Sequence, residues 1–530
     1  MLCTVRKITG SAAILSALIL ANCASAQQYS IPTSVETAAP DGSVSDPTGA
    51  SPANTYRKIT SHDLAVRGEK ITYDAIVGET VLSDMNGRPT GRIFSFSYIR
   101  TDVQQPDRPV LFIFNGGPGS SSLWIHMGAI GPKRVVLDAE VNPSNVPPFG
   151  IQDNPYSVLD VADLVFIDPV GTGFSLAEEG VDPKTFWGVD EDADSVAQFI
   201  ELWLTEHGRW NSPKYVMGES YGSKRASVLP RALMGSPIYN GVMRGITLDG
   251  IILLGTTLES NRYVAELSEQ EQAAKLARDL PGLVLTAAYH GLGNMAELSP
   301  ADIYQQSTEF AQNAYQAALL KHAEGTLPPD ERDAILRRLA GMTGLAAEQI
   351  GNDIHIDERE FAKTLLQGKN LEVGMYDSRY TLPLDGSGGD PVADDPAMGR
   401  YVPGFVAAFN QMLHEDLEVD MTRPYIAIHW KDLLPSWNWE RRGVAPGQSF
   451  AVDLKWSMRR NPALRLFVAS GYYDLVTTPT EARAQLDAAD LPMDRVIFED
   501  YPSGHMLYLG GTAEKFSNDL RHFLQPDPKR

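Results

Sequence analysis

Brief, unbroken apolar runs recur along the chain, separated by loops and amphipathic stretches: Val110–Phe114, Leu164–Ile167, Tyr215–Met217, Gly250–Leu254, Leu464–Ala469 and Val496–Phe498. A strand buried on both faces reads this way, because helices cover both sides of a parallel sheet and leave no face for polar residues. Between two of the runs, Val196, Phe199, Ile200, Trp203 and Leu204 share one face at helical spacing. Upstream, Lys70–Val77 and Ile93–Ile99 alternate apolar and polar residues, with Asn86-Gly87 as a turn between strands. That pattern predicts an antiparallel edge to a larger sheet. Strand signals stop between about Thr256 and Pro424, where helical stretches such as Ala301–Glu324 and Asp330–Leu339 precede a Gly- and Asp-rich loop, Asp385–Asp395. The alternation predicts an α/β fold with a mainly parallel central sheet and helices on both faces. Its core is expected from residues 55–255 and 425–530, with 256–424 as a mainly helical cap insertion.

The N-terminus changes the picture by adding a destination. Arg6 and Lys7 precede an apolar run from Ala12 to Ala21 and then Ala24-Ser25-Ala26. A basic segment, a short apolar core and a small-x-small cleavage site predict a signal peptide over residues 1–26, so the folded core is expected in the periplasm or outside the cell. Leu20-Ala21-Asn22-Cys23 also resembles a bacterial lipoprotein box, with Asn22 standing where Gly, Ala or Ser is usual. Residues 27–54, rich in Ser, Pro, Ala, Gly and Thr and without periodicity, read as a flexible tether. Both cysteines, Cys3 and Cys23, lie in the leader, so the mature chain is expected to carry no thiol. That excludes cysteine nucleophiles, zinc–thiolate sites and disulfide scaffolds, and suits a bacterial envelope. No later stretch reaches the about 18 uninterrupted apolar residues of a membrane span, so no integral membrane segment is expected in the mature chain. The 43% hydrophobic and 21% charged residues are ordinary for a globular protein. A net charge of −22 argues against nucleic acid as a partner.

Chemistry is concentrated in three strand-end loops. Gly218-Glu219-Ser220-Tyr221-Gly222 follows the strand Tyr215–Met217 and precedes a helical stretch from Ser223. A serine on such a sharp strand-to-helix turn projects at the sheet's edge as a nucleophile. A hydroxyl is a poor nucleophile until a neighbouring base takes its proton, and that base needs an orienting acid. On α/β-hydrolase folds the order is Ser, then Asp or Glu, then His. Asp474 follows the strand Leu464–Ala469 and His505 follows Val496–Phe498, in that order. His522 lies on the C-terminal helical run and reads as structural. The oxyanion of a tetrahedral intermediate needs two N–H donors. One is expected from Tyr221 and the other from the loop Asn115-Gly116-Gly117-Pro118-Gly119, which has neither a phosphate-loop lysine nor a dinucleotide-binding glycine pattern. Asp168 precedes the nucleophile and reads as a structural hydrogen-bonding residue, and the cluster Asp353, His355, Asp357 and Glu358 matches no metal-ligand spacing. No metal or organic cofactor is expected.

Phe114–Ser122, Asp168–Ser175 and Gly218–Gly222, together with Asn154-Pro155-Tyr156-Ser157 and Gly504-His505-Met506, resemble the serine carboxypeptidase family. The resemblance covers about 110–225 and 465–507 and leaves the insertion unmatched. It implies that Gly117 and Tyr221 donate to the oxyanion, and that Asn115 and Glu219 hold the C-terminal carboxylate of a peptide substrate. Two close carboxylates cannot both stay ionised, so such binding would favour mildly acidic conditions. The family's further Glu is Ala129 here, which weakens both strict C-terminal recognition and an acidic optimum, and its first-motif cysteine is Ser120. The expected activity is release of C-terminal residues through an acyl-enzyme. An esterase or acyltransferase on the same triad, and a catalytically inactive binding module, are the alternatives.

Overall fold

The computed structural model describes residues 55–103, 107–235, 241–260, 267–384 and 389–525. The leader, the tether, both cysteines and the first part of the Asp385–Asp395 loop lie outside the described residues. Arg57–Val66 (β1), Glu69–Ser83 (β2) and Pro89–Arg100 (β3) pair antiparallel. Six strands continue the sheet: Val110–Phe114 (β4), Asp163–Asp168 (β5), Lys214–Glu219 (β6), Gly250–Leu254 (β7), Arg465–Gly471 (β8) and Val496–Tyr501 (β9). They run parallel to one another in the spatial order β5-β4-β6-β7-β8-β9, and β3 joins antiparallel beside β5. This is the α/β-hydrolase architecture, with the antiparallel edge that the alternating N-terminal segments predict.

The continuous apolar runs are explained by two cores. Along β4, Leu111 and Ile113 enter one and Val110, Phe112 and Phe114 the other. Along β7, Ile252 and Leu254 divide from Ile251 and Leu253 in the same way. The helix Val189–Glu206 (α1) covers one face, its Trp203 ring edge-on to Phe112 at 5.4 Å and its indole N–H donating to Ser97 Oγ at 3.0 Å. The helix Tyr221–Met234 (α2) starts directly behind Ser220, two residues earlier than the sequence pattern places it.

The inserted segment has two destinations. Glu269–Tyr289 (α3), opened by a capping box from Ser268 and Glu271, gathers with Pro300–Phe310 (α4), Gln316–Ala323 (α5) and Pro329–Thr343 (α6). Leu280, Val284, Phe310, Tyr315 and Leu339 form a separate cluster there, joined by Tyr473 and Leu475 from the loop after β8. By contrast Pro396–Glu415 (α7) sends Tyr401, Phe405 and Phe409 into the main core, where Phe409 meets Phe96 and His126 edge-on. Among the described residues, no helix is long and apolar enough to cross a membrane.

Candidate active site

Ser220 directly follows β6 at φ 60° and ψ −126°, a conformation that L-residues avoid and that costs of order 1–3 kcal/mol. Its surroundings enforce the turn. Ser220 N–H donates to Leu254 O at the end of β7 (2.9 Å), and Ser223 N–H donates back to Ser220 O (2.8 Å). A side chain at Gly218 would put its Cβ 2.0 Å from Gly222 O, so the motif's glycines answer a close backbone approach. The loop after β4 presses on the same turn. A Cβ on Gly116 would stand 2.5 Å from both Glu219 O and Tyr221 N. Gly117, at φ 104°, follows in that loop, so the Tyr221 and Gly117 amides belong to two backbone segments in direct contact.

The candidate acid and base, Asp474 and His505, come from the ends of the next two strands after β7. Asp474 is fully buried, and its Oδ1 accepts from Val476 N–H (2.8 Å) and Thr477 N–H (2.9 Å). Its Oδ2 accepts from Thr477 Oγ1 and lies 2.7 Å from His505 Nδ1. With Nδ1–H facing the carboxylate, the imidazole turns Nε2 outward as an acceptor. Strand register explains the convergence: Glu219 pairs with Leu254 across β6 and β7, Leu254 with Ala469 across β7 and β8, and Gly471 with Tyr501 across β8 and β9. A Cβ on Gly255 would lie 3.1 Å from both Cε1 and Nδ1 of His505, while the preceding Leu254 carbonyl holds the Ser220 amide. Ser220 and the His505 imidazole therefore flank the same end of β7. Burial alone pulls the His505 pKa down, but the charge and hydrogen bond of Asp474 outweigh it, so the net direction is upward.

Asn115 and Glu219 are also brought together. Asn115 Nδ2 donates to Glu219 Oε1 at 2.8 Å, and Asn115 Oδ1 accepts from Ile125 N–H at 3.2 Å, which fixes the amide's orientation. Glu219 is 3% exposed, its Oε2 is buried without a hydrogen-bond partner, and burial pushes its pKa up to about 7. Tyr508, packed against Gly128, sets its hydroxyl beside this carboxyl, close enough to act on its charge yet outside hydrogen-bonding geometry. Ala129 is buried in a π-turn spanning His126–Ile130, and its carbonyl accepts from Asn154 Nδ2 at 2.9 Å, so position 129 supplies no second carboxyl.

Other residues fall into structural positions. Asp168 Oδ1 accepts from Ser122 N–H (2.9 Å) and Ser122 Oγ (2.8 Å), holding the start of the short helix after the Asn115 loop. Asp357 caps the helix Glu358–Thr364, accepting from the Arg359 and Glu360 amides. His522 lies on Ala513–Leu524 (α8), as its helical context indicates. No group of three or more metal-type side chains assembles among the described residues. The sequence pattern does not single out Tyr508, Thr477 and Arg225, although all three touch the site. The first two sit three residues beyond His505 and Asp474, which is their only signal. Arg225, 1% exposed, donates to Asp192 Oδ2 (2.6 Å) and to Asn115 O (2.6 Å), tying α1 and α2 to the Asn115 loop.

Residues 86–317 match the family model described as serine carboxypeptidase. The chain is 33% identical over 130 residues to serine carboxypeptidase-like 8 of Arabidopsis thaliana, covering 24% of this chain and 28% of that protein. It is 32% identical over 146 residues to the pheromone-processing carboxypeptidase KEX1 of Fusarium vanettenii, covering 27% and 22% respectively. The alignments thus span under a third of the length of these curated relatives. Among solved structures, the proline iminopeptidase of Mycobacterium smegmatis aligns over 88% of this chain and 97% of its own, at 14% identity and a TM-score of 0.33. The matched segment, less than half of the chain, carries both the Asn115–Gly119 loop and the Ser220 turn, and over that segment the chain is similar to serine carboxypeptidases.

Proposed function

We propose that this protein is a serine carboxypeptidase that removes residues from the free C-terminus of peptides. Ser220 Oγ attacks the scissile carbonyl while His505 Nε2 takes its proton. Asp474 keeps the imidazole oriented and stabilises the imidazolium that forms. The Gly117 and Tyr221 amides, the latter at the positive end of α2, receive the oxyanion. His505 then protonates the departing amine, and water admitted to the site resolves the acyl-enzyme by the same steps in reverse.

The observation that carries this reading is Glu219: a buried carboxyl one residue from the nucleophile, bonded to Asn115, with one oxygen unpartnered and a pKa of about 7. Protonated, it donates a hydrogen bond to a substrate carboxylate; ionised, it repels one. The sign follows directly. Turnover of peptides with a free C-terminus is expected to fall as pH rises through about 7, mainly as an increase in KM. Esters and amidated peptides lack the carboxylate and should show no such alkaline limb. On the acid side, activity on every substrate should fade as His505 gains a proton.

The test compares N-blocked peptides bearing free or amidated C-termini. Serine-dependent loss of one residue from the free form alone supports the assignment. Ester cleavage with both peptides untouched would replace it by an esterase or acyltransferase. In Glu219→Gln the amide keeps a donor but cannot titrate, so kcat/KM on free peptides should become flat through neutral pH. Persistence of the alkaline limb in that variant would remove Glu219 from substrate binding.

A further inference from the structure

The strand ladder cannot by itself set the distance between Asp474 and His505. Pairing of β8 with β9 ends at Gly471 and Tyr501, and beyond it the only backbone–backbone bonds between the two segments, among the described residues, are Tyr472 N–H to Tyr501 O and Tyr473 N–H to Ser503 O, both 2.9 Å. Asp474 and His505 lie just beyond the last of these contacts. There a hairpin from the insertion, Leu371–Val373 paired with Thr381–Pro383, drives its tip between the loops. Leu475 N–H donates to Met375 O (2.9 Å), Ser378 N–H to Tyr473 O (2.9 Å), and His505 N–H to Tyr376 O (2.7 Å). The backbone of the catalytic histidine is therefore held by the insertion and not by its own strand.

Two side chains stiffen the tip. Arg379 donates to both oxygens of Asp377, from Nε to Oδ1 (2.9 Å) and from Nη2 to Oδ2 (2.6 Å), in a bidentate pair with each residue 5% exposed. The remaining donors of the same guanidinium reach Pro502 O (2.8 Å) and Ser503 Oγ (3.2 Å) in the histidine loop, and its face lies 5.3 Å from the Tyr473 ring in the aspartate loop. The Tyr376 ring stands edge-on to the His505 imidazole at 5.3 Å. The tip is anchored from behind by Asp395, which accepts from Met375 N–H (2.5 Å), and by Thr286 Oγ1, 2.6 Å from Ser378 Oγ. The fit is tight: a Cβ on Gly504 would fall 2.4 Å from Asp377 Cβ.

We propose that Asp377 and Arg379 are positioning residues, a brace carried by the insertion that sets the His505 imidazole against Asp474. Such a brace presupposes the triad proposed above, and geometry is what requires it. Two loops from different strands must hold a 2.7 Å contact, and displacements of about 1 Å cost on the order of a hundredfold in rate. The only segment bonded to both loops at the residues adjoining the triad, among the described residues, is 375–379.

The experiment uses the full mature chain with Asp377→Asn, Arg379→Lys and Arg379→Met. Each variant's fold is checked by near-UV circular dichroism. Expected are losses in kcat of about ten- to a hundredfold with KM within about twofold, an acid limb moved to lower pH, and partial rescue in Arg379→Lys over Arg379→Met. The acid limb moves down because a loosened Asp474 contact no longer raises His505. The His505 Nδ1 proton resonance should also shift upfield in every folded variant, a readout that needs no substrate. Asp377→Asn, nearly isosteric, decides the question if the arginine variants do not fold. A lowered melting temperature with wild-type kcat, pH profile and Nδ1 resonance would overturn the brace. Activity that survives Ser220→Ala would instead overturn the triad, and the resonance would still test the brace separately.

Discussion

Asp474→Asn is expected to fold normally and to lose about four orders of magnitude in kcat. The hydrogen bonds on the wild-type carboxylate dictate why. Oδ1 accepts two backbone N–H groups, from Val476 and Thr477, so in the variant the amide oxygen must stay there. The amide NH2 is then forced into the place of Oδ2, 2.7 Å from His505 Nδ1. An NH2 donates to Nδ1, so the imidazole proton moves to Nε2. That tautomer cannot accept a proton from Ser220. Steady-state turnover of an ester and a peptide, with the rate of labelling by a fluorophosphonate, measures the loss. A decrease under tenfold on both substrates would mean that Asp474 is not the orienting acid.

Arg225→Met should be the most destabilising of the single substitutions near the site, by about 3–5 kcal/mol, because it strands the buried Asp192 carboxylate without a cation. Burial already pushes that carboxyl's pKa upward even with Arg225 in place. A second substitution, Asp192→Leu, removes the uncompensated charge and should restore much of the stability. Activity should not return with it. Arg225 also donates to Asn115 O, and it packs over the Phe114 and Tyr221 rings at 5.1 and 5.3 Å. Without it the Asn115 loop loses one of its ties to the segment around the Ser220 turn, so the double variant should stay impaired in kcat/KM for peptides. Urea midpoints report the first effect and peptide kinetics the second. Full recovery of both would reduce Arg225 to a core ion pair with no bearing on the loop.

Much of the fold is legible in the sequence because its cause is local. Val110–Phe114 and Gly250–Leu254 are apolar at every position since alternate side chains enter two separate cores, and no tertiary knowledge is needed to read that. The Ser220 turn is equally open: Gly218 must lack a side chain because its Cβ would meet Gly222 O, a contact only four residues apart, although Gly222 itself faces the backbone of Phe114 and Asn115. The order Ser220, Asp474, His505 follows from strand ends, and the strands themselves are readable.

The insertion is not readable in this way. Tyr401, Phe405, Phe409 and Met412 give α7 a helical period, but its destination in the main core, like that of the 375–379 tip between the Asp474 and His505 loops, has no local signal, because the partners lie far away in sequence. Asp377 and Arg379 look like any charged pair two residues apart, and Arg225 looks like a polar position on an amphipathic helix. Their roles come from burial, which turns an ordinary charge into a fixed, fully bonded one. The sheet, the serine turn and the residue types available for catalysis are each dictated by neighbours within a few positions, and so they stand in the chain before it folds. How the Asp474 and His505 loops are held together is written nowhere locally, because it depends on which distant segment fills the gap past the end of the strand ladder.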